Sequence, residues 1–154
     1  MSSKHIASLA AVLIAAWILS LTLRPGTRAN GINLVPFKQK RAAAACILTS
    51  SCRQQRSSFT FLLVDVLGNL AVFVPFGMAI ALATLPTRTR VAARRRFGLR
   101  WWRNIAAIGF LLSLGIELAQ LTIPTRATDV DDIILNTLGT LFGAAAIALI
   151  RGKS

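Results

Sequence analysis

Residues 117–143 read ELAQLTIPTRATDVDDIILNTLGTLFG, and they are the most informative part of the sequence. It joins two long apolar runs through a short polar turn, and it holds four of the chain's five acidic residues. Acidic residues are rare elsewhere in the chain and are concentrated where two apolar runs meet. We therefore expect the functional centre at this end of the two runs.

The overall composition is that of a membrane protein. Apolar residues make up 55% of the 154 residues and charged residues only 15%, against about 25% charged in an ordinary soluble domain. Four apolar runs are long enough to cross a hydrocarbon layer of about 30 Å as helices. They cover residues 6–23, 59–85, 104–123 and 132–150. The sequence predicts an all-α fold with one domain over residues 1–154: a polytopic bundle of about four transmembrane helices, with the lipid bilayer as partner.

The segments between the runs differ in character. Residues 24–58 are predicted to form a polar loop, whose apolar patch at 42–48 is too short to span and either lies on the membrane surface or re-enters it. Residues 86–103 are predicted to form a loop rich in arginine, without acids, that ends in two tryptophans typical of an interfacial anchor. The net charge of +13 is then a topology signal and a headgroup contact, and we expect no nucleic-acid partner.

Polar residues recur at helical spacing inside three of the runs. A charge at the centre of a membrane helix costs about 2.5–3.5 kcal/mol on insertion scales, so such groups are expected to be paired, hydrated or functional. Residues three or four apart share one helix face. The pairs are Asp65 with Asn69, Glu117 with Gln120, and Asp132 with Asn136.

Two further patterns concern the fourth run. Thr128-x-x-Asp131 has the spacing of a capping box and predicts the start of the helix there. Gly139 and Gly143 form a small-residue face that is suited to close helix packing. Pro75 is predicted to kink the second helix, since it donates no backbone hydrogen bond.

Counting the spans places the polar pairs on one side of the membrane, because successive helices alternate in direction. The termini and the basic loop share the opposite side and carry slightly more Lys and Arg in a shorter length of chain. The positive-inside rule then predicts cytoplasmic termini and an outward polar cluster in a bacterial inner membrane.

The residue inventory disfavours several chemistries. The one histidine, His5, lies far from the polar cluster, so no Ser-His-Asp set forms, and no phosphate-binding loop is present. Asp129 and Asp132 lack the fuller oxygen set that a divalent cation needs. We predict no catalytic residue, metal or cofactor, and lean against an enzyme. Cys46 and Cys52 are either two unconnected residues or, on an oxidising side, a disulfide.

Three short motifs follow one another along the chain and together cover most of it from residue 33. They are Asn33-x-x-Pro36-Phe37; Asn69-x-x-x-Phe73-x-Pro75-x-Gly77; and Glu117-x-x-Gln120 with Arg126-x-x-Asp129-x-x-Asp132-x-x-x-Asn136-x-x-Gly139-x-x-x-Gly143. These motifs resemble those of the VanZ-like family of bacterial membrane proteins, although Thr125 precedes Arg126 where the family pattern commonly has Gly. The resemblance implies an envelope-related role, since the founding members are associated with resistance to the glycopeptide teicoplanin, but it supplies no reaction.

These observations together predict a binding protein with an outward polar and acidic pocket. Its ligand would be a cell-envelope component, such as a lipid-linked precursor, or an amphiphilic glycopeptide-type antibiotic. Two alternatives stay open: a membrane enzyme or proton-coupled carrier that titrates Glu117 or Asp65, and a structural partner in a membrane complex through Gly139 and Gly143. The oligomeric state is also open. The predicted pocket residues are Asp65, Asn69, Glu117, Gln120, Arg126, Asp129, Asp132 and Asn136.

Overall fold

The structure, a computed structural model, describes residues 2–26, 31–49, 52–85 and 97–152. Four of its helices are long and apolar enough to cross a membrane, which confirms the predicted all-α membrane bundle. The helices are α1 (Ser3–Thr22), α2 (Lys38–Leu48), α3 (Gln55–Leu62), α4 (Gly68–Thr84), α5 (Leu99–Gln120) and α6 (Val130–Gly152), and a π-helical segment, Leu63–Leu67, joins α3 to α4 into one continuous rod.

Both predicted loops are corrected by these bounds. The segment 24–58 contains α2 and the start of α3, together with the short strand β1 (Gly31–Asn33), so more than half of its described residues lie in a helix or strand. Residues 99–103 of the predicted basic loop belong to the first turns of α5, while residues 86–96 lie outside the described part of the chain. The apolar patch at 42–48, which is too short to span a membrane, forms the C-terminal part of the short helix α2.

Glycine lets α4 and α6 approach each other closely. A Cβ atom on Gly143 would overlap the carbonyl oxygen of Val74, and one on Gly77 would overlap the carbonyl oxygen of Thr140. Gly139 lies in the same way against Leu70. The small-residue face of α6 is therefore covered by α4 inside the chain, and it is not open to a partner protein as one alternative required.

The interior of the bundle is mostly apolar away from the polar end. Ile18 of α1, Phe73 of α4 and Ile116 of α5 are almost fully buried in one core cluster, and Ile105 and Ala144 are buried in a second. Pro75 lies within α4, and the helix continues beyond it to Thr84. The described departure from α-helical geometry in this rod is the π-helical segment, which contains Asp65.

Two connections tie the polar segments together. Strand β1 pairs in parallel with β2 (Ala127–Asp129), which joins the segment after α1 to the turn before α6 and places Asn33 opposite Asp129. Cys46 and Cys52 form a disulfide, with Cα atoms 5.4 Å apart, which links the end of α2 to the residues just before α3. The question that the sequence left open is thus answered in favour of the bond.

Candidate functional site

All five acidic residues of the chain meet at one end of the bundle. We call them the acidic cluster: Asp65, Glu117, Asp129, Asp131 and Asp132. They come from the π-helical segment, the end of α5, strand β2 and the first turn of α6. The helix ends thus lie together, as the alternating direction of the spans predicts, and hydrogen bonds and ion pairs join these side chains to their neighbours.

Lys40 of α2 occupies the centre of the acidic cluster. Its Nζ lies 2.7 Å from Oδ2 of Asp65, 2.8 Å from Oδ2 of Asp131 and 3.7 Å from Oδ2 of Asp129, and the residue is only 5% exposed. Burial by itself lowers the pKa of Lys40, but hydrogen bonds to Asp131 and Asp65 and the charges of Asp65 and Asp129 raise it, and the net direction is upward. Lys40 therefore stays charged and neutralises part of the cluster.

No feature of the sequence singles out Lys40. It stands in the basic run 38–41, which has the pattern of a solvated surface. In the structure Lys40 is the one buried residue of α2, so a charged side chain faces inward. Its ion pair with Asp65 agrees with the expectation that a charged group within a span is paired.

Asp131 was expected to serve as a capping residue, but it is a fully buried anchor. Its Oδ1 accepts a hydrogen bond of 2.6 Å from the backbone N–H of Phe37, and none of its surface is exposed. Phe37 has a φ of 56°, which is uncommon for a residue with a side chain. The Asn33-x-x-Pro36-Phe37 motif thus turns the chain so that a main-chain donor meets this carboxylate.

Asp129, and not Thr128, caps α6. Oδ1 of Asp129 accepts hydrogen bonds of 3.0 Å from the backbone N–H of Asp131 and from Nδ2 of Asn33. Thr128 instead donates its hydroxyl to the carbonyl oxygen of Glu117. The predicted capping box is therefore wrong in its residue, because the ladder between β1 and β2 directs Thr128 towards α5 and leaves Asp129 at the helix start.

Glu117 holds the turn before α6 against the end of α5. Its Oε2 accepts a hydrogen bond of 3.0 Å from the backbone N–H of Asp129, and the residue is only 2% exposed. This contact closes the chain reversal between α5 and α6. Its geometry is that of a positioning group for Asp129.

Asparagine side chains join the helices at two levels. Nδ2 of Asn69 donates to Oδ1 of Asp132 at 2.8 Å, which ties α4 to α6. Nδ2 of Asn136 donates to Oγ of Ser113 at 2.9 Å, deeper between α5 and α6. Asn136 therefore stands apart from the acidic cluster, while Asn69 belongs to it.

Arg126 and Gln120 hold the end of α1. Nε of Arg126 donates to the carbonyl oxygen of Arg24 at 2.7 Å, and its Nη2 donates to that of Leu21 at 3.3 Å. Nε2 of Gln120 donates to the carbonyl oxygen of Thr22 at 2.9 Å. These bonds satisfy carbonyl groups that the end of a helix leaves without partners.

Thr125, the departure from the family pattern, also contacts this end. Its hydroxyl accepts a hydrogen bond of 3.1 Å from the backbone N–H of Gly26. A Cβ on Gly26 would come within 2.9 Å of the carbonyl oxygen of Thr125. The absence of a side chain at Gly26 therefore leaves room for the main chain of Thr125 and the side chain of Arg126.

Three cavities open around the acidic cluster, and Asp65 lines each of them. The central cavity, of about 400 Å³, lies between α1, α4, α5 and the turn before α6; Asn69, Gln120, Arg126 and Asp132 line it with apolar Leu21, Val72 and Phe73. The ladder cavity, of about 410 Å³, borders Asn33, Gln39, Asp129 and Asp132. The arginine groove, of about 730 Å³, borders Arg53, Arg56, Thr60, Phe61 and Val64.

Five of the predicted pocket residues line the central cavity: Asp65, Asn69, Gln120, Arg126 and Asp132. Asp129 lines the ladder cavity, whereas Glu117 and Asn136 line none of these three. Within the described residues, no three His, Cys, Asp or Glu side chains are arranged to hold a metal ion. The cation found between Asp65 and Asp131 is the Lys40 ammonium group.

Comparison with known proteins bears on the family of the chain. The family model VanZ/LLP1 matches residues 6–151, which include all four candidate spans from Ile6 onward and the whole acidic cluster. No curated protein and no solved structure matches the chain significantly. The matched length and the four apolar helices make this a multi-pass membrane protein, and the chain belongs to the VanZ/LLP1 family.

Proposed function

We propose that the protein binds an amphiphilic component of the cell envelope in the central cavity, and that residues 1–154 form one membrane domain around it. The cavity combines an apolar wall of Leu21, Val72 and Phe73 with a polar wall that includes Gln120 and Asp132. Binding sites for small molecules typically pair a mostly apolar lining with a few placed polar groups. This lining suits an acyl chain with a polar headgroup, such as a lipid-linked precursor or an acylated glycopeptide antibiotic.

The observation that carries the proposal is the amide of Gln120. Its Nε2 bonds to α1, but its Oε1 is buried and accepts no hydrogen bond from any described residue. The residue is only 6% exposed. A buried acceptor without a partner costs about 1–3 kcal/mol, and a ligand N–H in the central cavity would remove that cost.

Asp132 supplies the charge for the same ligand. Its Oδ1 accepts the Asn69 amide, and no described residue donates a hydrogen bond to its Oδ2. The carboxylate lines both the central cavity and the ladder cavity. Carboxylates outnumber the cations around it, so an ammonium or amide donor suits this wall better than an anion.

The disulfide supports an outward orientation of the site. Cys46 and Cys52 lie in the segment that carries Lys40 into the acidic cluster. Disulfides persist in oxidising compartments and are rare in the cytosol. Together with the positive-inside rule, this favours cytoplasmic termini and a site on the outer face of a bacterial inner membrane.

Complementation and direct binding test the proposal. Gln120→Leu and Asp132→Asn should each reduce growth of a complemented deletion strain in teicoplanin and weaken binding of a fluorescent teicoplanin or lipid-linked precursor to the purified protein. Asn104→Ala is the matched control, because Asn104 is exposed at the opposite end of α5. Wild-type binding and growth in both cavity variants would contradict the proposal.

The enzyme or proton-coupled carrier is the runner-up. It requires turnover whose pH dependence disappears in Glu117→Gln or Asp65→Asn. The contacts of Glu117 and Asp65 offer these groups structural roles, since one latches Asp129 and the other pairs with Lys40. Binding is therefore the function that the geometry supports best.

A further inference from the structure

The three cavities adjoin one another at Asp65, and we call them together the track. The arginine groove shares Phe61 and Asp65 with the ladder cavity, and it shares Val64 and Asp65 with the central cavity. The ladder and central cavities also share Ala127 and Asp132. The arginine groove thus lies next to the central cavity across Val64 and Asp65, within reach of a ligand longer than one headgroup.

The charges along this track have a fixed order. Asp132 bonds Asn69 and Gly143 packs against Val74, so α6 runs alongside α4 and its first turn lies level with the region of Asp65. The helix α3 projects beyond that level. From Gln55 to Asp65 the rod rises by roughly 15 Å at about 1.5 Å per residue. The order outward is thus the apolar wall, the carboxylates with Arg126 beside them, and then Arg53 and Arg56.

The two arginines are available to a ligand. Both are exposed. Among the described residues neither forms an ion pair with a carboxylate, and it is Lys40 that forms the ion pairs with the acidic cluster. They border the same groove as Phe61 and Val64. A guanidinium group binds a carboxylate through paired, charge-assisted hydrogen bonds.

We propose that the track binds an acylated peptide whose cationic or amide donor lies next to the acyl chain and whose carboxylate lies farther out. The acyl chain and donor occupy the central cavity, so this inference rests on the proposed function, and the carboxylate meets Arg53 and Arg56. Zwitterionic glycerophospholipids such as phosphatidylethanolamine carry the opposite order, with phosphate next to the acyl chains and ammonium outermost. The track therefore discriminates against zwitterionic bulk lipid.

Two peptides of equal composition and charge test the order. The first is hexadecanoyl-Lys-Gly-Glu-amide and the second is hexadecanoyl-Glu-Gly-Lys-amide, each titrated into the purified full-length protein in neutral detergent. The first should bind at least about tenfold more tightly, which is the worth of one charge-assisted hydrogen bond. Equal affinities would overturn the inference. Displacement of the first peptide by millimolar inorganic phosphate would also overturn it.

Variants assign each end of the track. The double change Arg53→Gln with Arg56→Gln should lower the affinity for the first peptide to the affinity that the wild-type protein has for hexadecanoyl-Lys-Gly-Gln-amide. Arg41 is exposed on α2, and the control variant Arg41→Gln should bind the first peptide as tightly as the wild type. Unchanged affinity in the double variant would overturn the inference. If both peptides bind equally but depend on Asp132, only this inference fails; if neither binds, the proposed function fails with it.

Discussion

Lys40 and Asp131 form a buried ion pair of 2.8 Å across 91 positions of sequence. One residue lies in the short helix α2 and the other in the first turn of α6, and both are at most 5% exposed. The pair joins the segment outside the spans to the bundle. It also determines how the acidic cluster is neutralised, because the same ammonium group reaches Asp65.

Removing the charge of Lys40 should destabilise the protein strongly. Lys40→Met leaves the carboxylates of Asp65 and Asp131 buried without their cation, and breaking one partner of a buried pair typically costs about 3–5 kcal/mol. Thermal unfolding in detergent measures the loss. Lys38→Met, at an exposed position of the same helix, is the control and should change little. Equal stability of the two variants would contradict the central place of Lys40.

Alkaline pH should remove the stabilisation that the charged Lys40 side chain provides. The pKa of Lys40 is raised above its ordinary value of 10.5. A group whose pKa is raised on folding contributes stability that is complete below the unfolded pKa and is lost as pH rises through the folded pKa. We expect a loss of stability only above pH 10.5 in the wild type, by unfolding measured from pH 8 upward. The Lys40→Met variant should lack this step.

The close approach of α4 and α6 should tolerate no side chain at Gly143. Gly143→Ala places a methyl group against the carbonyl oxygen of Val74, and overpacking of a core typically costs about 1–3 kcal/mol. Gly115→Ala is the matched control, since nothing lies within 4 Å of its added Cβ. Thermal unfolding of both variants checks the prediction. A Gly143→Ala protein as stable as Gly115→Ala would show that the helices can separate freely.

Reduction of the disulfide should loosen the segment that carries Lys40. Opening a short disulfide loop removes about 2 kcal/mol in the chain-entropy account. A thermal shift on adding dithiothreitol measures this effect in the wild type. The double variant Cys46→Ser with Cys52→Ser should melt at the reduced temperature with or without the reagent. An identical melting curve for reduced and oxidised wild type would mean that other contacts hold α2.

Thiol labelling should locate the acidic cluster outside the cell. The described residues contain no free cysteine, so single cysteines at Thr125 and Thr89 can be introduced without other changes. A membrane-impermeant reagent on intact cells should label the Thr125→Cys variant and leave Thr89→Cys unlabelled. The reverse pattern would invert the topology and direct attention to cytoplasmic ligands.

The class of the protein and the composition of its polar end follow from the amino-acid sequence without the structure. Apolar runs of membrane-spanning length predict helices because a bilayer leaves the backbone few other ways to satisfy its hydrogen bonds. Alternating direction then brings the ends of these helices together. Asp65, Asn69, Gln120 and Asp132 were therefore predictable as neighbours, and the close packing at Gly139 and Gly143 followed from their spacing.

Tertiary structure alone decided the roles within that cluster. Lys40 and Asp131 look like ordinary surface and capping residues in the sequence, since ion pairing across 91 positions leaves no periodic pattern. The choice of Asp129 over Thr128 as the cap depends on the register of β1 with β2. The buried acceptor of Gln120 and the track through Asp65 likewise exist only where separate segments enclose a common space. Local spacing determines which face a side chain shares, whereas its partner depends on how distant segments fold against that face.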